Sequence, residues 1–272
     1  MIRVAAYQAP LLEPGSMEAI APIREQVQVC ETRGVRILCC PEAVLGGLAD
    51  DSPRPEDIAI DVEGGQLDDV LGPLASDTVT TIVGFTEIDR AGRLYNSAAI
   101  HHCGVVVGRY RKLHPAIRRS VYDPGDEMPV FTAGGLTFGV VICRDSSFPE
   151  PARIMASRGA TALFVPTNNG LPPGKGGPDL VRDARADDVA RATENGVWVI
   201  RADVAGTTTG LVSYGSSAIV APDGSIRRSA SPLTAELVVA EIEAGTGRWP
   251  GAAQEVRVTP GGRAPSRRVD QR

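Results

Sequence analysis

Val35-Arg36-Ile37-Leu38-Cys39-Cys40-Pro41-Glu42 is the stretch on which the fold turns: an apolar run that stops at a proline and sets a carboxylate just beyond it. Upstream lies a helical pattern over residues 17–33, and before that a β-branched run over 2–7, so the chain opens as a β-α-β unit. Further strands are expected at 79–87, 95–101, 105–110, 136–142, 162–165, 197–202, 216–220, 225–228 and 237–242. Most are apolar throughout, as when both faces of a sheet are covered. Helices are expected at 150–158 and at 179–195, the second stopped by Gly196, and Pro222-Asp223-Gly224 reads as a turn. Interleaved strands and helices with no repeat and no dividing linker predict one α/β domain over 1–245. Its helices would lie on the outer faces of two sheets whose apolar inner faces meet. The Gly/Pro/Arg-rich tail, 246–272, carries too little apolar material for a core and is expected to be extended or partly disordered.

Composition narrows the function. The 28 Lys+Arg and 33 Asp+Glu leave a formal charge of −5, which argues against a polycationic nucleic-acid binder. With 43% hydrophobic and 22% charged residues, disorder throughout is excluded. No apolar run approaches the roughly 18 residues of a membrane-spanning helix, and the opening MIRVAAYQAP lacks a signal-peptide pattern, so no membrane partner and a cytoplasmic location are expected. The five cysteines are odd in number and form no C-x-x-C pair, which argues against a disulfide framework and a zinc knuckle.

Three apolar runs lead into a reactive residue: 35–40 into Glu42, 105–110 into Lys112, and 136–142 into Cys143. Strand ends feeding loops are where α/β proteins build sites. Each residue alone has a plain explanation, as a solvated turn acid, a surface lysine or a small buried hydrophobe. Together they meet the needs of covalent amide hydrolysis. A thiol needs a base, and the substrate oxygen needs positive charge as it becomes an oxyanion.

These segments resemble the nitrilase, or carbon-nitrogen hydrolase, superfamily. The run into Pro41-Glu42 is similar to its Glu segment, Tyr110-Arg111-Lys112-Leu113-His114 to its Lys segment, and Val141-Ile142-Cys143-Arg144-Asp145 with Phe148-Pro149-Glu150 to its nucleophile segment. Asn96-Ser97-Ala98, Tyr122-Asp123-Pro124-Gly125-Asp126 and Arg191-Ala192-Thr193-Glu194-Asn195-Gly196 add to the likeness. The resemblance implies an α-β-β-α sandwich, no metal or organic cofactor, hydrolysis of a non-peptide carbon-nitrogen bond with water, and a homodimer or larger homo-oligomer. It implies Glu42 as base, Cys143 as nucleophile, and Lys112 with the backbone N–H of Arg144 as oxyanion donors. A small aliphatic amide or N-carbamoyl compound is the expected substrate. Nitrile hydrolysis, or a degenerate member serving as a binding module, is the alternative.

The chain also departs from the family pattern. Counting back from Gly125 to the place of the family's second Glu lands on Arg118, Arg119 follows, and no acidic residue occurs from Leu113 to Tyr122. Arg144 stands where an aromatic or small polar residue is common. Arg118, Arg119 or Arg144 could therefore prepare the pocket for an anionic substrate, or they could be solvated or paired internally with Glu127 or Asp145. Asn168 and Asn169 follow a strand end and could line the acyl pocket or simply shape a turn. His114 is the one histidine placed for a Cys/His alternative, and nothing in the sequence orients it. The segment 170–176 lacks the spacing and the Ser/Thr of a phosphate loop and reads as a mobile loop near the pocket.

Overall fold

The structure, a computed structural model, describes residues 1–115 and 120–244. Arg118, Arg119 and the tail expected at 246–272 lie outside the described residues. The chain begins with β1 (Ile2–Pro10), α1 (Ile20–Thr32) and β2 (Val35–Cys39), the expected β-α-β unit. It continues through β3 (Ile60–Asp61), α2 (Gln66–Leu71), β4 (Thr80–Ile88), β5 (Leu94–His102) and β6 (Val105–Arg111). Strands β1, β2 and β4 are parallel, β5 adds antiparallel to β4, and β6 adds antiparallel to β5.

A second sheet follows from β7 (Val130–Ala133), β8 (Leu136–Val140), β9 (Ala162–Pro166) and β10 (Trp198–Ala202), with α3 (Pro149–Ser157) and α4 (Pro178–Asn195) as crossovers. The short β11 (Val204–Thr207) and β12 (Val212–Ser213) return to the first sheet. Strands β13 (Ala218–Val220) and β14 (Ile226–Ser229) extend the second, and β15 (Glu236–Ile242) pairs antiparallel along β1. The helix expected from residue 17 begins three residues later, at Ile20, and the strand expected to reach 142 ends at Val140.

Alternation along the strands makes the layers. In β2, Ile37 and Cys39 point into the core shared with Phe138, Val140 and Phe164 of the second sheet, while Leu38 packs with Ile23, Val27 and Cys30 of α1. Gly139 lies against α3, where a Cβ would strike Met155. Helices thus cover the outer faces and the sheets meet inside, an α-β-β-α sandwich in one domain.

Candidate active site

Glu42, Lys112 and Cys143 come together on the wall of one cavity of ≈ 390 Å³. Glu42 leaves the first sheet in a tight passage. Cys40 N–H donates to Ile82 O at 2.8 Å, and the loop crosses Gly84, where any Cβ would clash with Pro41 O, Glu42 Cα and Ala43 N. Ala43, next in line, sits at φ 45°, a conformation L residues hold only when the surroundings over-determine it. Glu42 N–H then donates to Thr167 O of the second sheet's loop at 3.3 Å. Its carboxylate is 1% exposed and takes three hydrogen bonds: Lys112 Nζ at 2.5 Å and Asn96 Nδ2 at 2.8 Å on Oε1, Asn168 N–H at 3.0 Å on Oε2.

Lys112 follows β6 directly. Its N–H donates to Asn96 O and its carbonyl accepts from Gly125 N–H, both at 2.8 Å, which accounts for the Pro124-Gly125 element. Gly125 is required there because a Cβ would collide with the Arg111 backbone. Burial would lower the pKa of this ammonium. The charges of Glu42 and Cys143, with the hydrogen bond to Glu42, outweigh burial and raise it, so Lys112 stays charged.

Cys143 opens a 3-10 turn, Cys143–Ser147, at φ 45°. Asp145, fully buried, ties this turn to the Lys112 loop. It accepts from Ile142 N–H at 3.2 Å, Leu113 N–H at 3.3 Å, His114 N–H at 2.8 Å and Tyr110 Oη at 2.7 Å. Burial, then the Glu42 charge, pushes the Cys143 thiol up to about 12, against the pull of Lys112 and Arg201.

Arg144, Asn168 and Asn169 also line the cavity. Asn168 shapes the turn, its Oδ1 accepting from Gly170 N–H at 3.0 Å, while its own N–H donates to Glu42. Asn169 donates from its backbone and side chain to buried Asp203, at 3.0 and 2.8 Å. Arg144 makes no ion pair with Glu127 or Asp145 and lies 5.8 Å from the Phe148 ring centre. The segment expected to be mobile is pinned at Leu171, which exchanges two hydrogen bonds with Val212 (3.1 and 2.8 Å), and Gly170, Leu171 and Pro172 form cavity wall. His114 does have an orienting partner, Asp145 Oδ1 at 3.0 Å from Nδ1, and stacks on Phe148 at 3.8 Å, but it does not line the cavity.

Asn96 and Asp145 were visible only as parts of motifs, with no role attached. Arg201 and Asp188 carried no signal beyond one charge inside an apolar strand and one on a polar helix.

A sandwich whose strand ends deliver a cysteine, a lysine and a glutamate to one cavity falls within the carbon-nitrogen hydrolases. The chain belongs to that family, matching it over residues 3–250. It is 32% identical over 249 residues to a nitrilase of Pyrococcus abyssi (89% of this chain, 90% of the relative). It is 31% identical over 193 residues to an (R)-stereoselective amidase of a Pseudomonas species (70% of this chain, 67% of the relative). The fold matches an amidase from Nesterenkonia sp. with a TM-score of 0.70 at 21% identity, over 89% of this chain and 90% of that one.

Proposed function

We propose that this protein hydrolyses a small aliphatic amide or N-carbamoyl compound through a thioester on Cys143. The observation that carries the reading is the single cavity shared by Cys143 and the Glu42–Lys112 pair. Glu42 takes the thiol proton, and the sulfur attacks the substrate carbonyl carbon. Charge gathers on the carbonyl oxygen between the Lys112 ammonium and the N–H of Arg144. That N–H stands at the start of a helical turn, where no carbonyl lies one turn back to occupy it. Glu42 passes its proton to the departing nitrogen as the carbon-nitrogen bond breaks. It then takes a proton from water, whose oxygen attacks the thioester and returns the sulfur.

Asn96 holds the base in place. Its Nδ2 faces the Glu42 carboxylate, an acceptor only, so Oδ1 is the other end of the amide. That oxygen is buried with no partner among the described residues, so the role the geometry gives Asn96 is to orient Glu42. The wall carries the carboxylates Glu42, Asp50, Asp51, Asp183 and Asp187 against the cations Lys112, Arg144 and Arg201, and Lys112 and Arg201 are already paired with Glu42 and Asp188, which favours a neutral amide over the anionic substrate that the arginines suggested. An amide is preferred to a nitrile because Asp145 follows Arg144, the residue more usual in amidases of the family than the Trp-Glu of nitrilases.

Ammonia release from a panel of neutral amides, acidic amides, ureido acids and nitriles tests this. Neutral amides or ureido compounds should turn over, and Cys143→Ala should release no ammonia and form no acyl adduct by intact mass. Turnover retained in Cys143→Ala would end the reading, and a nitrile preference would move it to the nitrilases.

A further inference from the structure

Arg201 lies in β10 among Val199, Ile200 and Ala202, and it is the largest fully buried side chain described, 2% exposed. An interior guanidinium requires a partner. Asp188 of α4, fully buried, supplies it with contacts to Nε at 3.1 and 2.9 Å and to Nη2 at 2.6 Å. Replacing such a pair by apolar side chains is often neutral or stabilising, so stability alone does not explain the pair.

The rest of the guanidinium reaches the site. Nη1 donates to Thr167 Oγ1 at 2.7 Å, and the Thr167 carbonyl holds the Glu42 N–H. Nη2 donates to Ser146 Oγ at 2.8 Å, and that hydroxyl donates to the Cys143 carbonyl, also at 2.8 Å. Arg201 also lines the cavity itself. One planar cation thereby grips the segment that carries the base and the segment that carries the sulfur. Only a fork with several fixed donors does this; an ammonium would not.

We propose that Arg201, anchored by Asp188, is a positioning residue that holds Cys143 in its left-handed backbone conformation through Ser146 and serves as a second cation beside the thiolate. The inference rests on the reading of Cys143 as the nucleophile. The charged groups acting on that sulfur are Glu42 after β2, Lys112 after β6, and Arg201 and Asp203 at the end of β10, while Arg144, next in its own turn, shares the cavity wall and the Asp145 carboxylate is taken up by Tyr110, Leu113, His114 and Ile142. Asp188 and Arg185 stand behind Arg201 on α4. Glu42 and Asp203 favour the protonated thiol, and Lys112 and Arg201 favour the thiolate.

The test reads the thiol directly, as the pH dependence of iodoacetamide alkylation at Cys143 by intact mass. Exposed Cys103 is first replaced, as Cys103→Ser. Because Arg201→Gln alone strands Asp188, the charge-neutral pair Asp188→Asn/Arg201→Gln is used, with folding checked by circular dichroism. From about pH 7 to 9 alkylation should be about ten-fold slower at each pH, the shift expected of a thiol whose pKa has risen by about one unit. Ser146→Ala keeps the ion pair and cuts only the relay. It should lower kcat about ten-fold with KM little changed for any amide the parent hydrolyses. A folded double variant with an alkylation profile superimposed on the parent, or Ser146→Ala with parental kcat, would overturn the proposal. A parent that alkylates with the expected shift yet hydrolyses no amide would sink the proposed function and leave the role of Arg201 standing.

Discussion

At the scale of single residues the cysteine is held in a form that cannot react unaided. Burial and the Glu42 charge push its thiol up to about 12, so near neutrality the resting sulfur is protonated and a proton must leave during the reaction. Glu42, within 2.5 Å of Lys112 and bonded to Asn96 and Asn168, is fixed in place to receive it. Glu42→Gln keeps the shape and can still accept from Lys112, but it cannot take a proton. Ammonia release should fall by about 10²–10⁴, and alkylation of Cys143 near neutrality should slow with it. Rapid alkylation in Glu42→Gln, measured by intact mass, would show that another group is the base. The three reactive residues were legible because each stands at the end of an apolar run, where a strand meets a loop. Arg201 was not. A charge inside a strand resembles an outward-facing position, and Asp188, which shields it, is 13 residues away on a helix whose polar sequence hides which face is buried.

At the scale of elements the long, apolar strands were readable and the short or mixed ones were not. Strand β7, Val130–Ala133, is half-buried at a sheet edge, and β11 begins just after Asp203, where the chain leaves one sheet for the other. Neither has a run long enough to show a period. Strand β5 was placed to within a residue at each end, but its burial was not readable. His101 stands near the strand end, as the sequence suggests, one residue before the close at His102, yet it is completely buried, with the Gly104 backbone close enough to act on its ring. Burial lowers its pKa from 6.5, with the Asp68 charge opposing, so the folded protein holds the neutral ring. The sign follows from linkage: the unfolded chain binds this proton more readily than the folded one, so the contribution is intact above 6.5 and is lost as pH falls from there through the depressed folded value. Urea unfolding midpoints should therefore drop on acidification across that range. His101→Leu, which cannot bind a proton, should flatten the drop, and an equally steep fall in that variant would assign the acid sensitivity to other groups.

At the scale of the molecule the site exists only while two sheets are pressed together. The first sheet delivers Glu42 and Lys112, and the second delivers Cys143, Thr167 and Arg201. What presses them is aromatic and aliphatic packing between the inner faces. Within the second sheet Phe138 meets Phe164 edge-on at 5.1 Å and Phe131 at 5.7 Å, building one aromatic face, and that face reaches the first sheet where Phe131 lies so close to Gly108 of β6 that a Cβ there would clash with its ring. Such layering could be expected from the sequence, because strands apolar on both faces need cover on both faces. Which inner faces meet, and at what register, depends on volumes filled by residues far apart in the chain, and no local pattern carries that. Truncating the fully buried ring, Phe138→Ala, should reduce unfolding free energy by about 3–5 kcal/mol. Because no part of the reaction can be assembled by one sheet alone, ammonia release and far-UV circular dichroism should disappear over the same urea range in the parent. In Phe138→Ala both should move together to lower urea. Activity lost well before the dichroism signal would mean that the loops bearing Glu42 or Cys143 open while the sheets stay packed, and the coupling between core and chemistry would then be weaker than this architecture requires.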